Sequence, residues 1–219
     1  MIRRNLFALL LCLFPLAVFA QPMLPGTPKE GVDYAILPVP VPTHAPGKIE
    51  VAEVFSYGCV HCFEFQPYVN TWKKTMAKDA RWEYVPGVFG GHWDRFARAY
   101  FAAQILGVQE KTHDAVFKSI FVDHSVKTAS AEELADVYAR LGVDRAKFLA
   151  TMASESVTAR LAKAREFAQR SGIDSTPALI VAGKYRVLGR QETGWDGMLK
   201  TAEFLVNRER ASAKPAKKG

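Results

Sequence analysis

The chain has 219 residues, 49% of them apolar, and a formal charge of +7. That length and apolar share suffice for one substantial core, or one core with an inserted subdomain. The charge is not a nucleic-acid signature. Residues 1–20 supply +2, the end of the chain from 208 to 219 supplies +4, and the body between them is left near +1 with no basic face carrying interleaved aromatics.

The first residues read as a leader. Arg3 and Arg4 precede an almost wholly apolar run from Leu6 to Phe19, and Ala17-Val18-Phe19-Ala20 closes it with small residues at the positions a signal peptidase reads. About 14 apolar residues are short of the ~20 needed to span a bilayer, so residues 1–20 are expected to be a secretory signal peptide rather than an anchor. Cys12 sits inside the apolar run without the small residue before it that a lipoprotein signal requires. Removal of the leader leaves Cys59 and Cys62 as the remaining cysteines, in an oxidising compartment that fits a bacterial periplasm.

Residues 22–46 hold seven of the twelve prolines and read as an extended leader, with one strand around Tyr34 to Leu37. Ile49 to Tyr57 is β-branched and apolar and stops at Gly58, the pattern of a buried central strand. A helical pattern opens at Cys59 and runs to Lys78, with Phe63, Val69, Trp72 and Met76 along one stripe and Pro67 as a kink. A second strand is expected over Arg81 to Val88.

After Gly90-Gly91 the period changes, and residues 93–171 read as helices only. Ser130 with Glu133 forms a capping box, Gly142 stops that helix, and Asp144 caps the next. A long helix through Val157, Leu161, Ala164 and Phe167 ends at Gly172. Strands return at Pro177 to Val181 and Lys184 to Leu188, joined by an Ala182-Gly183 hairpin turn, and a last helix runs from Trp195 to about Arg208. The order is β-α-β, a helical block, then β-β-α.

Three chemistries compete for Cys59 and Cys62. A metal site needs about four ligands, and none of the five histidines has ligand spacing to another. A structural disulfide across two residues closes too short a loop to stabilise much. Redox chemistry has a mechanism. Cys59 falls where a strand ends and a helix begins, where unpaired N–H groups and the helix dipole favour a thiolate, and His61, when charged, adds to that. Cys62, one turn further in, is shielded. Cys59 is then the exposed nucleophile and Cys62 its partner.

Glu53 lies six residues before Cys59 in an apolar strand. Alternation alone allows an outward-facing carboxyl, whereas burial beneath the cysteines would make it a proton relay for Cys62. Thr176-Pro177 puts a proline at the start of a near-central strand. A trans proline at a strand start and a cis bond that presents the Thr176 backbone to an extended substrate both remain open.

Gly58-Cys59-Val60-His61-Cys62 after an apolar strand carrying Glu53, the helical block, and Thr176-Pro177 before a hairpin and final helix together resemble the DsbA family of exported thiol:disulfide oxidoreductases. The likeness spans about Gly31 to Arg208. It implies an α/β thioredoxin fold with an inserted all-helical domain, the thioredoxin part being 21–90 with 166–210, the insertion 91–165, and 211–219 a disordered basic tail. It implies Cys59 as nucleophile, Cys62 as resolving partner, His61 as tuning residue and Pro177 as a cis-proline with Thr176 at the substrate. It also implies disulfide donation to unfolded exported proteins and reoxidation by a membrane DsbB-type, quinone-linked partner. The residues themselves point to no bound cofactor beyond the cysteine pair, no metal and no nucleic acid, and the lack of an obvious extra dimerisation segment favours a monomer. A reductase or isomerase of the same fold, and a peptide-binding chaperone with a structural disulfide, are the alternatives. Two positions depart from the family's best-known members. Val60 stands where they have proline. Glu83 falls, by alignment, where they have a lysine facing the buried glutamate.

Overall fold

A computed structural model describes residues 26–213, so the leader at 1–20 lies outside the described residues. The elements are β1 (Tyr34–Ile36), β2 (Ile49–Phe55), α1 (Val60–Thr75), β3 (Ala80–Pro86), α2 (His92–Ile105), α3 (Gln109–Phe121), α4 (Ala131–Arg140), α5 (Arg145–Met152), α6 (Glu155–Arg170), β4 (Ala178–Val181), β5 (Tyr185–Val187) and α7 (Gly194–Ala213). The chain order is the one read from the sequence.

One five-stranded sheet runs in the order β1-β5-β4-β2-β3, with β2 parallel to β3 and antiparallel to β4. The crossover helix α1 returns the chain to lay β3 parallel beside β2, as a βαβ unit requires. β2 is buried along nearly its whole length, which is why it lacks polar alternation. On one face Val51, Leu179 and Val181 pack with Phe65 and Val69 of α1 and Leu199, Ala202 and Leu205 of α7. On the other Ala52, Val54 and Ile180 join the core of the helical block, which includes Ala99, Phe117, Leu134, Tyr138, Phe148 and Leu161.

The caps form as the sequence dictates. Ser130 accepts a hydrogen bond from Glu133 N at 3.1 Å, and Asp144 accepts from Lys147 N at 2.7 Å. Residue 165, the expected end of the insertion, lies within α6, which runs unbroken to Arg170.

Three expectations change. α1 stops at Thr75 rather than Lys78 because the chain turns into β3 there: Ala80 N donates to Ala77 O, and Lys48 Nζ donates to the Lys78 carbonyl. Its buried residues are Cys62, Phe65, Gln66 and Val69, while Phe63 stacks on Phe121 of α3 with ring centroids 5.3 Å apart. The helix is thus covered on two sides, and a single stripe does not describe it. α7 extends to Ala213, so residues 211–213, expected within a disordered tail, are helical; 214–219 lie outside the described residues.

The proline-rich leader is fastened to the hairpin. Leu37 N donates to Lys184 O and Val41 N to Gly183 O, each at 2.8 Å. The turn places Ala182 at φ 53° and Gly183 at φ 66°, the left-handed pair that suits a two-residue hairpin. A Cβ at Gly183 would overlap the Val41 carbonyl. Gly183→Ala should therefore lower the unfolding free energy by about 2 kcal/mol, read from the midpoint of a urea transition; an unchanged midpoint would show that the leader's seat on the hairpin contributes nothing.

Candidate active site

The end of β2 and the start of α1 set the two sulfurs. Cys59 is the N-cap of α1, with extended backbone (φ −100°, ψ 113°), and Cys62 is its third helical residue, on the buried face. Both thiols are free, Cys59 partly exposed and Cys62 buried. The peptide bond between Thr176 and Pro177 is cis. It brings the Thr176 carbonyl to Cys59, whose Sγ–H donates to it at 3.4 Å. The Thr176 hydroxyl is buried and has no hydrogen-bond partner.

The two thiols are pushed in opposite directions. Cys59 is lowered to about 6, chiefly by the hydrogen bond from the Cys62 thiol. Burial opposes the shift, and Thr176 and the backbone N–H groups of Cys62 and His61 add to it. Those N–H groups are the second and third of the helix, the donors an N-cap acceptor satisfies. Cys62 is raised well above the ordinary thiol value by burial first, then by its bond to Cys59 and by the charges of Glu53 and Cys59.

Glu53 lies on the α1 side of the sheet, 1% exposed, and neither carboxyl oxygen has a hydrogen-bond partner. Its pKa is raised well above the carboxylate range by burial and by the Cys59 thiolate, with Lys73 acting weakly the other way. The outward-facing reading of Glu53 does not hold, since a residue facing out of the sheet would not be buried.

Glu83 does not face Glu53. Glu53 registers with Tyr84, while Glu83 pairs with Ala52 on the other face of the sheet and makes an ion pair with Arg81. Tyr84 fills the space beside the carboxyl. Its hydroxyl accepts from Gln66 Nε2 at 2.6 Å, its ring lies under Lys73 Nζ at 5.1 Å, and it packs on His113 with centroids 4.2 Å apart. Lys73 of α1 is therefore the cation near this carboxyl.

His61 is brought to the site but its imidazole is not on the sulfur. Nδ1 sits 3.1 Å from Glu64 Oε2, one helical turn on, and the ring lies 6.3 Å from Trp195. What His61 gives the thiolate in this arrangement is its backbone N–H. Val60 is exposed beside it.

Sequence reading passed over three neighbours. Gly58 was read as a strand stop, yet a Cβ there would meet the Phe96 ring at 2.6 Å, so the backbone before Cys59 lies directly against α2. Gln66 is buried on α1 although it lies outside the stripe of Phe63, Val69, Trp72 and Met76. His113 of α3 is buried and held neutral, its pKa depressed to about 3 by burial, with Nδ1 3.0 Å from the Tyr57 hydroxyl. Its polar type inside an apolar helical stripe was the available signal.

A thioredoxin-type sheet with paired thiols at a helix start beside a cis-proline defines a thiol–disulfide oxidoreductase of the thioredoxin-fold class. Comparison with known proteins narrows the class. A family model described as a DSBA-like thioredoxin domain matches residues 84–194. The chain is 38% identical over 184 residues to the thiol:disulfide interchange protein DsbA of Pseudomonas aeruginosa, covering 84% of this chain and 87% of that one. It is 36% identical over 200 residues to the protein of the same name from Azotobacter vinelandii, covering 91% and 93%. The crystal structure of the oxidoreductase DsbA from Xylella fastidiosa superposes with a TM-score of 0.80 at 41% identity, covering 84% of this chain and 98% of that one. The chain belongs to the DsbA family and is a thiol:disulfide oxidoreductase.

Ultraviolet titration of the reduced protein should show one thiolate appearing with a midpoint of about 6. Cys59→Ser should abolish that step. A midpoint in the ordinary thiol range of about 8.5 would overturn the assignment of the thiolate to Cys59.

Proposed function

We propose that this protein is an exported dithiol oxidase that donates a Cys59–Cys62 disulfide to newly exported proteins. The observation that carries the reading is the opposed shift of the two thiols: Cys59 lowered to about 6 and accessible, Cys62 raised and buried. Stabilising the Cys59 thiolate lowers the energy of the reduced form, and the disulfide becomes a stronger oxidant.

The exchange balances as follows. A client thiolate attacks Cys59 Sγ, and the Cys59–Cys62 bond breaks. Cys62 leaves as a thiolate and takes a proton from Glu53, whose pKa burial raises well above the ordinary carboxylate range. A second client thiolate then attacks its own sulfur in the mixed disulfide and expels Cys59 as the stabilised thiolate. Two electrons have passed from the client to the protein, and no bound cofactor is needed because the cysteine pair stores them. The Thr176 backbone beside the cis-Pro177 bond is the pairing edge for an extended client strand, and His61 adjusts Cys59 through its N–H. A membrane oxidase of the DsbB type, linked to quinone, restores the disulfide. The family resemblance and the leader at 1–20 support a periplasmic location; monomeric action suits a site complete within one chain.

Two variants test the reading. Cys62→Ser, offered unfolded proteins that carry a disulfide, should attack it through the Cys59 thiolate, expel the other sulfur as a thiolate and accumulate mixed disulfides at Cys59 because no second thiol resolves them, visible on non-reducing gels, and Cys59→Ser should form none. Full client oxidation by Cys59→Ser would sink the mechanism in favour of a chaperone role.

Glu53→Leu separates the proton relay from packing. Burial disfavours the charged carboxyl, so its folded pKa lies above the unfolded one and the group lowers stability above the ordinary value of 4.5. The variant should therefore melt higher at neutral pH, with the gain fading as pH falls below about 4.5. Opening of the disulfide by client thiols should slow by about 10–100-fold. Unchanged exchange kinetics would leave Glu53 as a packing residue only.

A further inference from the structure

Gly58, the residue before Cys59, forms part of a cleft of about 490 Å³ between α1's entry, the start of α2 and the loop after α3. Its floor is apolar: Phe96, Ile120 and Val126. Its rim carries Arg95 and Lys127, with His92 between them and Gly58, and no acidic residue lines it. Both cations are exposed, and among the described residues neither makes an ion pair.

The nearby carboxylates are already committed. Glu133 Oε2 accepts from Lys127 N at 3.1 Å, from Thr128 N at 2.8 Å and from the Thr128 hydroxyl at 3.1 Å. These bonds pin the loop that presents Lys127, and Ala129 closes it at φ 55°. Asp94 accepts from Gly90 N and from Arg165. The cleft therefore offers unneutralised positive charge on a fixed frame, adjoining the sulfur that a client attacks.

We propose that this cleft is a specificity subsite that receives an acidic side chain of the client polypeptide, one to three residues from its reacting cysteine. The inference rests on the oxidase reading above and names the client sequence it favours. Gly58 lines the cleft and is bonded to Cys59, so their Cα atoms are about 3.8 Å apart, and an extended client chain at about 3.3 Å per residue reaches the cleft within about one to three residues of the cysteine that meets Cys59. The same field favours approach of the client thiolate itself.

Two-cysteine peptides identical except for Glu, Gln or Lys two residues from the reacting cysteine, on either flank, test this with the oxidised protein. The second-order rate of peptide oxidation should fall in the order Glu, Gln, Lys on one flank. The Glu-to-Lys ratio should be about three- to tenfold at low ionic strength and collapse in ~1 M salt. The double variant Arg95→Glu with Lys127→Glu should invert the order, while the Cys59 thiolate titration keeps its midpoint. Equal rates for the three peptides, or the original order persisting in the double variant, would overturn the subsite. Failure to oxidise any of the peptides would overturn the oxidase reading itself.

Discussion

The site depends on how differently two sulfurs three residues apart are solvated. One helix start does this. Its first free N–H groups face Cys59, where charge is stabilised, and a turn later the same helix buries Cys62 against the sheet, where charge is penalised. The two effects reinforce each other, because the neutral Cys62 thiol donates to the Cys59 thiolate and is the largest single influence on it. The pair titrates as a unit, and its asymmetry is a property of α1's placement on β2 rather than of either cysteine.

The placement of Glu53 follows from the sheet. β2 is flanked by β3 and β4, so a residue on its α1 face cannot reach solvent past either neighbour. Burial and the Cys59 thiolate both disfavour the charge of the carboxyl and raise its pKa, and Lys73 counters them only weakly. A neutral acid under a thiol that resists ionisation is a matched donor and acceptor: when the disulfide opens, both groups favour transfer of the proton to sulfur. An ion-paired carboxylate in the same place would hold its charge and could not give a proton.

Most of the fold was legible because its signals are local. Period, capping residues and turn glycines fixed the order of elements, and the Ser130 and Asp144 caps fall where the sequence puts them. The Cys59–Cys62 spacing named the chemistry for the same reason. What escaped is set by relations between distant segments. Whether Glu53 faces Tyr84 or Glu83 is a matter of a one-residue register between β2 and β3, and in a strand that shift exchanges the two faces of the sheet. The direction of the His61 ring is decided by Glu64, an i,i+3 neighbour that competes with the sulfur. The cis bond at Pro177 is fixed by tertiary context, and Arg95 and Lys127 meet only through the packing of α2 against the loop after α3.

The helical block is as much a part of the site as the sheet. Phe96 of α2 closes against Gly58, and His113 and Phe117 of α3 surround Phe55, Tyr57 and Tyr84 with edge-to-face and tilted ring contacts. Rings in such pairs contribute about 0.5–1.5 kcal/mol each beyond the area they bury. A cluster of this size offsets an unpartnered Glu53 and a neutral His113, which would otherwise weigh against folding. Stability in the region around Phe55 is thus supplied by hydrocarbon contacts that carry no chemistry. The polar groups there are free to remain unsatisfied, as the Glu53 carboxyl does near a Cys62 thiol whose charged form burial disfavours.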